Sequence, residues 1–177
     1  MEQVSQKKVI IFGTFDILHA GHENMFHQAR ELGDHLIAII GRDDTVKKIK
    51  GEYPYYTERQ RMKNLKNANL VDKVVLGNLG DKYEIIRKIR PDVIALGYDQ
   101  FAFTHQLEKF LIDEKINTQV VRMKAYKPEM YKSSIIRATM KERSHGDLEK
   151  TLEKNNENMD VAVDQEFISE IAFTSHM

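Results

Sequence analysis

The sequence predicts an α/β fold: a Rossmann-like, doubly wound sheet of five parallel strands, in a single domain with a C-terminal extension. Five short apolar runs alternate with stretches typical of helices. Strands that are apolar along their whole length are buried on both faces, as in a parallel sheet. Four of the five runs end in glycine, which permits a sharp exit from each strand. The 177 residues, 41% hydrophobic and 31% charged, fit one soluble globular domain.

The elements follow in a regular order. The predicted strands are KVIIFG (8–13), HLIAIIG (35–41), DKVVLG (72–77), DVIALG (92–97) and TQVVRM (118–123). Two intervening helices begin with capping-box spacing, Thr57 with Gln60 and Asp81 with Glu84, and Pro91 ends the helix before the fourth strand. A strand order of 3-2-1-4-5 places the switch point between the first and fourth strands. The loops GTFDILHAGH (13–22) and LGYDQ (96–100) should then face each other across a ligand cleft.

Charge is divided unevenly along the chain. Residues 144–177 hold 8 acidic and 2 basic side chains, which leaves 19 acidic and 25 basic side chains in residues 1–143. We predict one domain over 1–143 and an acidic extension over 144–177 that is helical or disordered and could fold over the cleft or dock on a neighbouring subunit. The moderately basic body suits a small anionic substrate and does not indicate nucleic acid.

The composition also restricts where the protein works. The chain has no cysteine, which excludes disulfides, thiol chemistry and cysteine-based zinc sites and suits a reducing cytoplasm. Its longest apolar runs, VIIF and LIAII, are far shorter than a membrane span, and no signal peptide is recognised before the first strand. We therefore expect a cytoplasmic protein with no membrane partner.

Two histidines dominate the loop after the first strand. The loop has no G-x-x-x-x-G-K-[ST] phosphate-binding string. It matches neither H-E-x-x-H nor H-x-x-E-H, and no third ligand stands out, so we predict no protein-bound metal. His19 and His22 instead lie where a helix begins and free backbone N–H groups attract an anion, and Gly21 leaves room for a phosphate. The pattern favours stabilisation of charge on a reacting phosphate.

These residues carry a family resemblance. GTFDILHAGH resembles the H-x-G-H signature of the nucleotidylyltransferase superfamily, which binds and activates a nucleoside triphosphate. KSSIIR (132–137) is similar to its second motif, S-S-x-x-R, which implies that Ser133, Ser134 and Arg137 hold the β- and γ-phosphates. Hydroxyls at a helix start with a guanidinium one turn later suit a phosphate clamp. The resemblance covers residues 8 to about 140.

Within that superfamily, GRDDTVKKIKG and RPDVIALGYDQ look most like the archaeal-type FAD synthetases. The resemblance implies transfer of AMP from ATP to FMN, giving FAD, with Mg²⁺ carried by the triphosphate and a homodimeric assembly. It implies that Lys47 reaches the triphosphate, with Lys48 and Lys50 as rivals; Asp16 and Arg61 are further candidates, Asp16 also as a cap of backbone amides. The implied nucleotide-binding residues are Gly13, Thr14, Phe15, His19, Gly21, His22, Asp99, Tyr126, Ser133, Ser134 and Arg137.

Two alternatives stay open at this point. One is a CTP-dependent cytidylyltransferase acting on glycerol 3-phosphate or a phosphoalcohol, although that branch typically has R-T-x-G-I-S-T in place of S-S-x-x-R. The other is a nucleotide-binding module without catalysis, which would bind ATP without releasing pyrophosphate. A flavin acceptor needs an apolar slot with aromatic walls. The aromatic candidates for that slot are Tyr53, Tyr55, Tyr56, Phe101 and Phe103.

Overall fold

The computed structural model describes residues 6–101, 106–131 and 135–140. Parallel strands alternate with helices along the chain, as the apolar pattern predicts. The strands are β1 (Lys8–Gly13), β2 (His35–Ile40), β3 (Lys73–Leu76), β4 (Val93–Leu96) and β5 (Gln119–Arg122). The helices are α1 (Ala20–Arg30), α2 (Asp43–Lys50), α3 (Glu58–Asn67), α4 (Glu84–Ile89) and α5 (Leu107–Asp113).

The strands form one sheet in the order β3-β2-β1-β4-β5, which confirms the predicted switch point. All four pairings are parallel, and Ile11 at the centre of β1 aligns with Ala38 of β2 and Ala95 of β4. Alternate side chains of β1 enter two separate apolar clusters, Val9 and Ile11 in one and Ile10 in the other. Because both faces of the sheet are buried, the strands read as continuous apolar runs.

The helix starts show which capping predictions hold. Thr57 and Gln60 form the predicted capping box at the start of α3, with both reciprocal hydrogen bonds present. The predicted box at Asp81 and Glu84 is wrong, because α4 begins at Glu84 without a side-chain cap. Asp81 instead accepts a hydrogen bond from the Tyr83 amide and pairs with Arg87. A short turn therefore precedes α4, and the carboxylate stabilises that turn.

The chain divides into two compact units, residues 1–135 and residues 136–177. The first contains the sheet and the five helices. In the second the structure describes helical residues through 140. The predicted acidic extension, 144–177, lies outside the described residues. The boundary at residue 143 and the role of the extension stay predictions.

Candidate active site

A cavity of about 640 Å³ opens at the carboxyl edge of the sheet. The loop after β1 and the loop after β4 both line it, in agreement with the strand order. From the first loop come Gly13, Thr14, Phe15, His19, Gly21 and His22, and from the second Gly97, Tyr98, Asp99, Gln100 and Phe101. Lys124, Tyr126 and Tyr131, which follow β5, line the cavity as well. The predicted nucleotide-binding residues among these therefore line the same cavity.

The two histidines are held against each other at the start of α1. His19 is the N-cap of this helix, and its Nδ1 accepts a hydrogen bond from the His22 amide at 3.4 Å. The two imidazole rings are stacked, with their centroids 3.8 Å apart. When Nδ1 accepts this bond, the neutral ring carries its proton on Nε2. Both histidines line the cavity.

Burial keeps both imidazoles neutral. Desolvation lowers the pKa of His22 to about 3, and the neighbouring His19 and Lys50 act in the same direction. Desolvation also lowers the pKa of His19, with Glu23 opposing it. His22 Nδ1 is buried and has no hydrogen-bond partner among the described residues. Both rings are therefore uncharged at neutral pH, and an anionic phosphate would favour their protonation.

The low pKa of His22 predicts a pH dependence of stability. The unfolded chain protonates this histidine near pH 6.5 and the folded chain near pH 3, so the unfolded state binds more protons between these values. Stability should fall as the pH falls through this window, by about 2 kcal/mol from pH 7 to pH 5 for His22. Urea unfolding at both values measures it. His22→Asn should flatten the dependence by that amount; an equal pH dependence in the variant and wild type would contradict the burial of His22.

Phe15 shapes the turn that leads to the histidines. Its backbone φ is 48°, a left-handed conformation that is uncommon for a bulky side chain and costs about 1–3 kcal/mol. The side chain is 1% exposed and its ring contacts His22 edge to face, with a centroid distance of 5.6 Å. A Cβ at Gly13 would lie 2.5 Å from Phe15 Cζ, so glycine is required there. The Phe15 ring thus packs between the strand end and His22.

The absence of a side chain at Gly21 leaves room for the His19 ring. A Cβ at Gly21 would lie 3.0 Å from Nδ1 and Cε1 of His19 and 3.1 Å from the Tyr131 Cβ. Gly21→Ala should therefore displace the His19 ring and lower kcat about tenfold or more, because small misplacements of catalytic groups are costly. Gly80→Ala is the matched control, since nothing lies within 4 Å of its added Cβ. Equal kcat values for the two variants would show that the His19 position is unimportant.

The basic side chains differ from the sequence prediction in their placement. Lys50 lines the cavity, whereas Lys47 and Lys48 are not among the lining residues that the structure describes. The Lys47 ammonium lies 5.3 Å from the centroid of the Tyr53 ring. Arg42, Lys82 and Lys124, which the sequence analysis did not select, also line the cavity. The sequence signal for these residues was their position, since Arg42 and Lys124 come shortly after strands and Lys82 shortly before a helix.

Asp16 and Arg61 are buried and bind backbone groups. The Asp16 carboxylate accepts hydrogen bonds from the amides of Tyr55 and Tyr56 at 2.8 and 2.9 Å. The Arg61 side chain is fully buried and donates to the carbonyls of Tyr56, Thr14 and Gly41 and to the Asp43 carboxylate. Neither side chain is among the described residues that line the cavity. Capping of backbone amides by Asp16 follows the sequence interpretation, although the amides belong to a distant loop.

The chain is similar to known proteins over most of its length. Residues 10–139 match the model of the cytidylyltransferase-like family. The chain belongs to the cytidylyltransferase-like family. It is 41% identical over 131 residues to an FAD synthase of Pyrococcus horikoshii, covering 73% of this chain and 88% of that one. It is 39% identical over 138 residues to an FAD synthase of Thermococcus sibiricus (77% and 93% covered). An FAD synthase of Korarchaeum cryptofilum is 41% identical over 138 residues (76% and 92%).

Solved structures agree with the cytidylyltransferase-like fold. A lipopolysaccharide core biosynthesis protein from Thermoplasma volcanium superposes with a TM-score of 0.65 at 32% identity, covering 70% of this chain and all of that one. A pantoate-β-alanine ligase from Francisella tularensis superposes with a TM-score of 0.52 at 16% identity, covering 77% and 69%. The second likeness concerns the fold alone.

The second family motif falls largely outside the described residues. Ser133 and Ser134 are among the residues that the structure leaves undescribed, and Arg137 lies within helical residues 136–140 of the second unit. Tyr131, just before this motif, was missed by the sequence analysis. Its ring stacks on Tyr126 and on His19, at centroid distances of 5.9 and 6.3 Å. A tyrosine two residues before an S-S-x-x-R motif was the only sequence signal.

The aromatic candidates for a flavin slot separate into two groups. Phe101 lines the cavity, and the Arg122 guanidinium lies 4.6 Å from its ring centroid. Tyr53, Tyr55 and Tyr56 line a different, shallower depression of about 610 Å³. Phe103 lies outside the described residues. Of the named aromatic residues that the structure describes, Phe101 is therefore the one at the cavity.

Among the described residues, no group of three or more His, Cys, Asp and Glu side chains could hold a metal ion. The cavity is lined by the basic side chains of Arg42, Lys50, Lys82 and Lys124, which attract anions. Across the same part of the chain, no helix is both long enough and apolar enough to cross a membrane.

Proposed function

We propose that this chain is an FMN adenylyltransferase, which transfers AMP from ATP to the phosphate of FMN, forms FAD and releases pyrophosphate. The observation that carries the proposal is the stacked His19–His22 pair at the start of α1, in a cavity at the switch point of the sheet. The archaeal relatives named FAD synthase, at 39–41% identity, support the flavin substrate.

The reaction is a direct in-line displacement. An oxygen of the FMN phosphate attacks the α-phosphorus of ATP, a new P–O bond forms, and the bond from that phosphorus to the bridging oxygen of the β-phosphate breaks. Pyrophosphate leaves with the electrons of the broken bond. No protein nucleophile takes part, so positioning and electrostatic stabilisation provide the catalysis. Mg²⁺ enters as part of the MgATP substrate.

Each group in the cavity has a role in this proposal. His19 Nε2–H and the His22 imidazole donate to phosphate oxygens as charge develops on them. Lys50 is favoured over Lys47 as the lysine that meets the triphosphate, because Lys50 lines the cavity. Asp99 and Tyr126, which line the cavity, bind the nucleoside. For Ser133, Ser134 and Arg137 the proposed contact with the outer phosphates rests on the sequence motif alone. We further propose that the protein acts in the cytoplasm as a homodimer.

The flavin fits the part of the cavity beside β2 and β3. Val46, Ile49 and Ile85 line the cavity there, and Ile49 is 59% exposed although it is a large apolar side chain. Such an exposed aliphatic surface inside a cavity suits a planar, apolar ring system. Arg42 and Lys82 also line the cavity and would supply polar contacts to the acceptor phosphate and ring oxygens.

The test is pyrophosphate release with Mg²⁺, crossing ATP and CTP against FMN and glycerol 3-phosphate. Release with ATP and FMN alone is the expected result. Release with CTP and glycerol 3-phosphate would make the protein a cytidylyltransferase with an atypical second motif. ATP binding without release on any acceptor would indicate a nucleotide-binding module.

A further inference from the structure

Two buried charged residues close a ring of contacts around Phe15. Arg61 donates to the Thr14 carbonyl at 2.5 Å and, through Nε, to the Tyr56 carbonyl at 3.1 Å. The Tyr56 amide in turn donates to Asp16 Oδ1 at 2.9 Å. Thr14 and Asp16 are the immediate neighbours of Phe15 in the chain. The segment that enters α3 therefore holds the Thr14 carbonyl before Phe15 and the Asp16 carboxylate after it.

Phe15 needs this support. It is a bulky residue in the left-handed region, with φ of 48°, and such conformations persist where the surroundings determine them. Its ring is buried between Gly13, Phe26 and His22, so a change in its backbone would move the wall against which His22 packs.

The hydrogen bonds of Arg61 account for its burial. Its guanidinium carries five N–H groups, and four hydrogen bonds join them to three backbone carbonyls and to Asp43. The side chain is 0% exposed. The guanidinium thus connects the loops after β1 and β2 to the start of α3. The phosphate contact predicted from the sequence would instead require it to face the cavity.

We propose that Arg61 and Asp16 are positioning residues, which hold Phe15 in its left-handed conformation and thereby keep His22 in place for phosphate chemistry. They act through Phe15 and do not touch the substrate. The kinetic consequence rests on the proposed adenylyltransferase function, whereas the structural consequence for His22 does not.

The experiment compares Arg61→Lys and Asp16→Asn with wild type. Lysine cannot reach three carbonyls at once, and asparagine replaces one acceptor oxygen with a donor that opposes a backbone N–H. We expect kcat to fall tenfold or more. In parallel, NMR titration of the imidazole of His22 should show its pKa rising from about 3 toward 6.5, because the displaced Phe15 ring admits water. Circular dichroism verifies that each variant folds. If Arg61→Lys does not fold, the isosteric variant Asp16→Asn still tests the proposal.

Arg87→Gln is the matched control. Arg87 makes ion pairs with Asp81, Glu84 and Glu114 and is not among the described cavity residues. Its loss should lower stability and leave both kcat and the His22 titration unchanged. Folded Arg61→Lys and Asp16→Asn variants with the wild-type His22 titration would overturn the proposal. If wild type shows no turnover with ATP and FMN, the proposed function fails, and the titration alone still tests the positioning.

Discussion

Replacing His22 with alanine is expected to lower kcat about 100-fold or more while the fold is retained. In the proposed mechanism the imidazole supplies a preorganised donor where charge develops in the transition state, and removal of one such donor typically costs about 10²–10³ in kcat. His19→Ala should have an effect of similar size, since His19 lines the same cavity. Steady-state pyrophosphate release under saturating ATP and FMN measures the change.

His27→Ala is the matched control for the His22 variant. His27 lies on the same helix, is exposed, and is not among the described residues that line the cavity. Its replacement should leave kcat within twofold of wild type. Near-wild-type turnover in both His19→Ala and His22→Ala would remove the histidine pair from the mechanism.

Replacing Arg61 with alanine is expected to lower the free energy of unfolding by about 3–5 kcal/mol. The change leaves three carbonyls and the Asp43 carboxylate without their buried partner, and loss of one partner from a buried ionic network is strongly destabilising. Urea denaturation monitored by circular dichroism gives the difference.

Arg87→Ala is the comparison for this stability measurement. Arg87 also makes several ion pairs, but they lie on the exposed surface, where solvent screens them. The loss of stability should therefore be much smaller than for Arg61→Ala. Equal losses would show that the backbone contacts of Arg61 contribute no more than a surface ion pair.

The sheet could be predicted almost completely from the sequence. Five apolar runs, four of them ending in glycine, predict the five strands. The confirmed strand order brings the loops with GTFDILHAGH and LGYDQ to the same cavity. The start of α4 could not be predicted in the same way. Asp81 has capping-box spacing, but the Tyr83 amide and Arg87 compete for its carboxylate. Tertiary contacts override a local capping pattern there.

The site was predictable in its chemistry and less so in its individual side chains. KKIK (47–50) offers three lysines within one turn of helix, and only the packing of α2 decides that Lys50 lines the cavity. For Arg61 a signal was present, because it lies four residues before Leu65 and thus on the face of α3 that is buried. A buried arginine in that place cannot be distinguished from a phosphate ligand without knowing which carbonyls surround it.

The central claim is that AMP passes from ATP to FMN in this cavity, and labelled ATP tests it most directly. The protein is incubated with MgATP labelled with ³²P at the α-position, or in a second sample at the γ-position, together with FMN. We predict that the α-label appears in FAD and the γ-label in pyrophosphate, in equal amounts. Label at the α-position that remains in ATP, ADP or AMP, with none in a flavin product, would contradict the account.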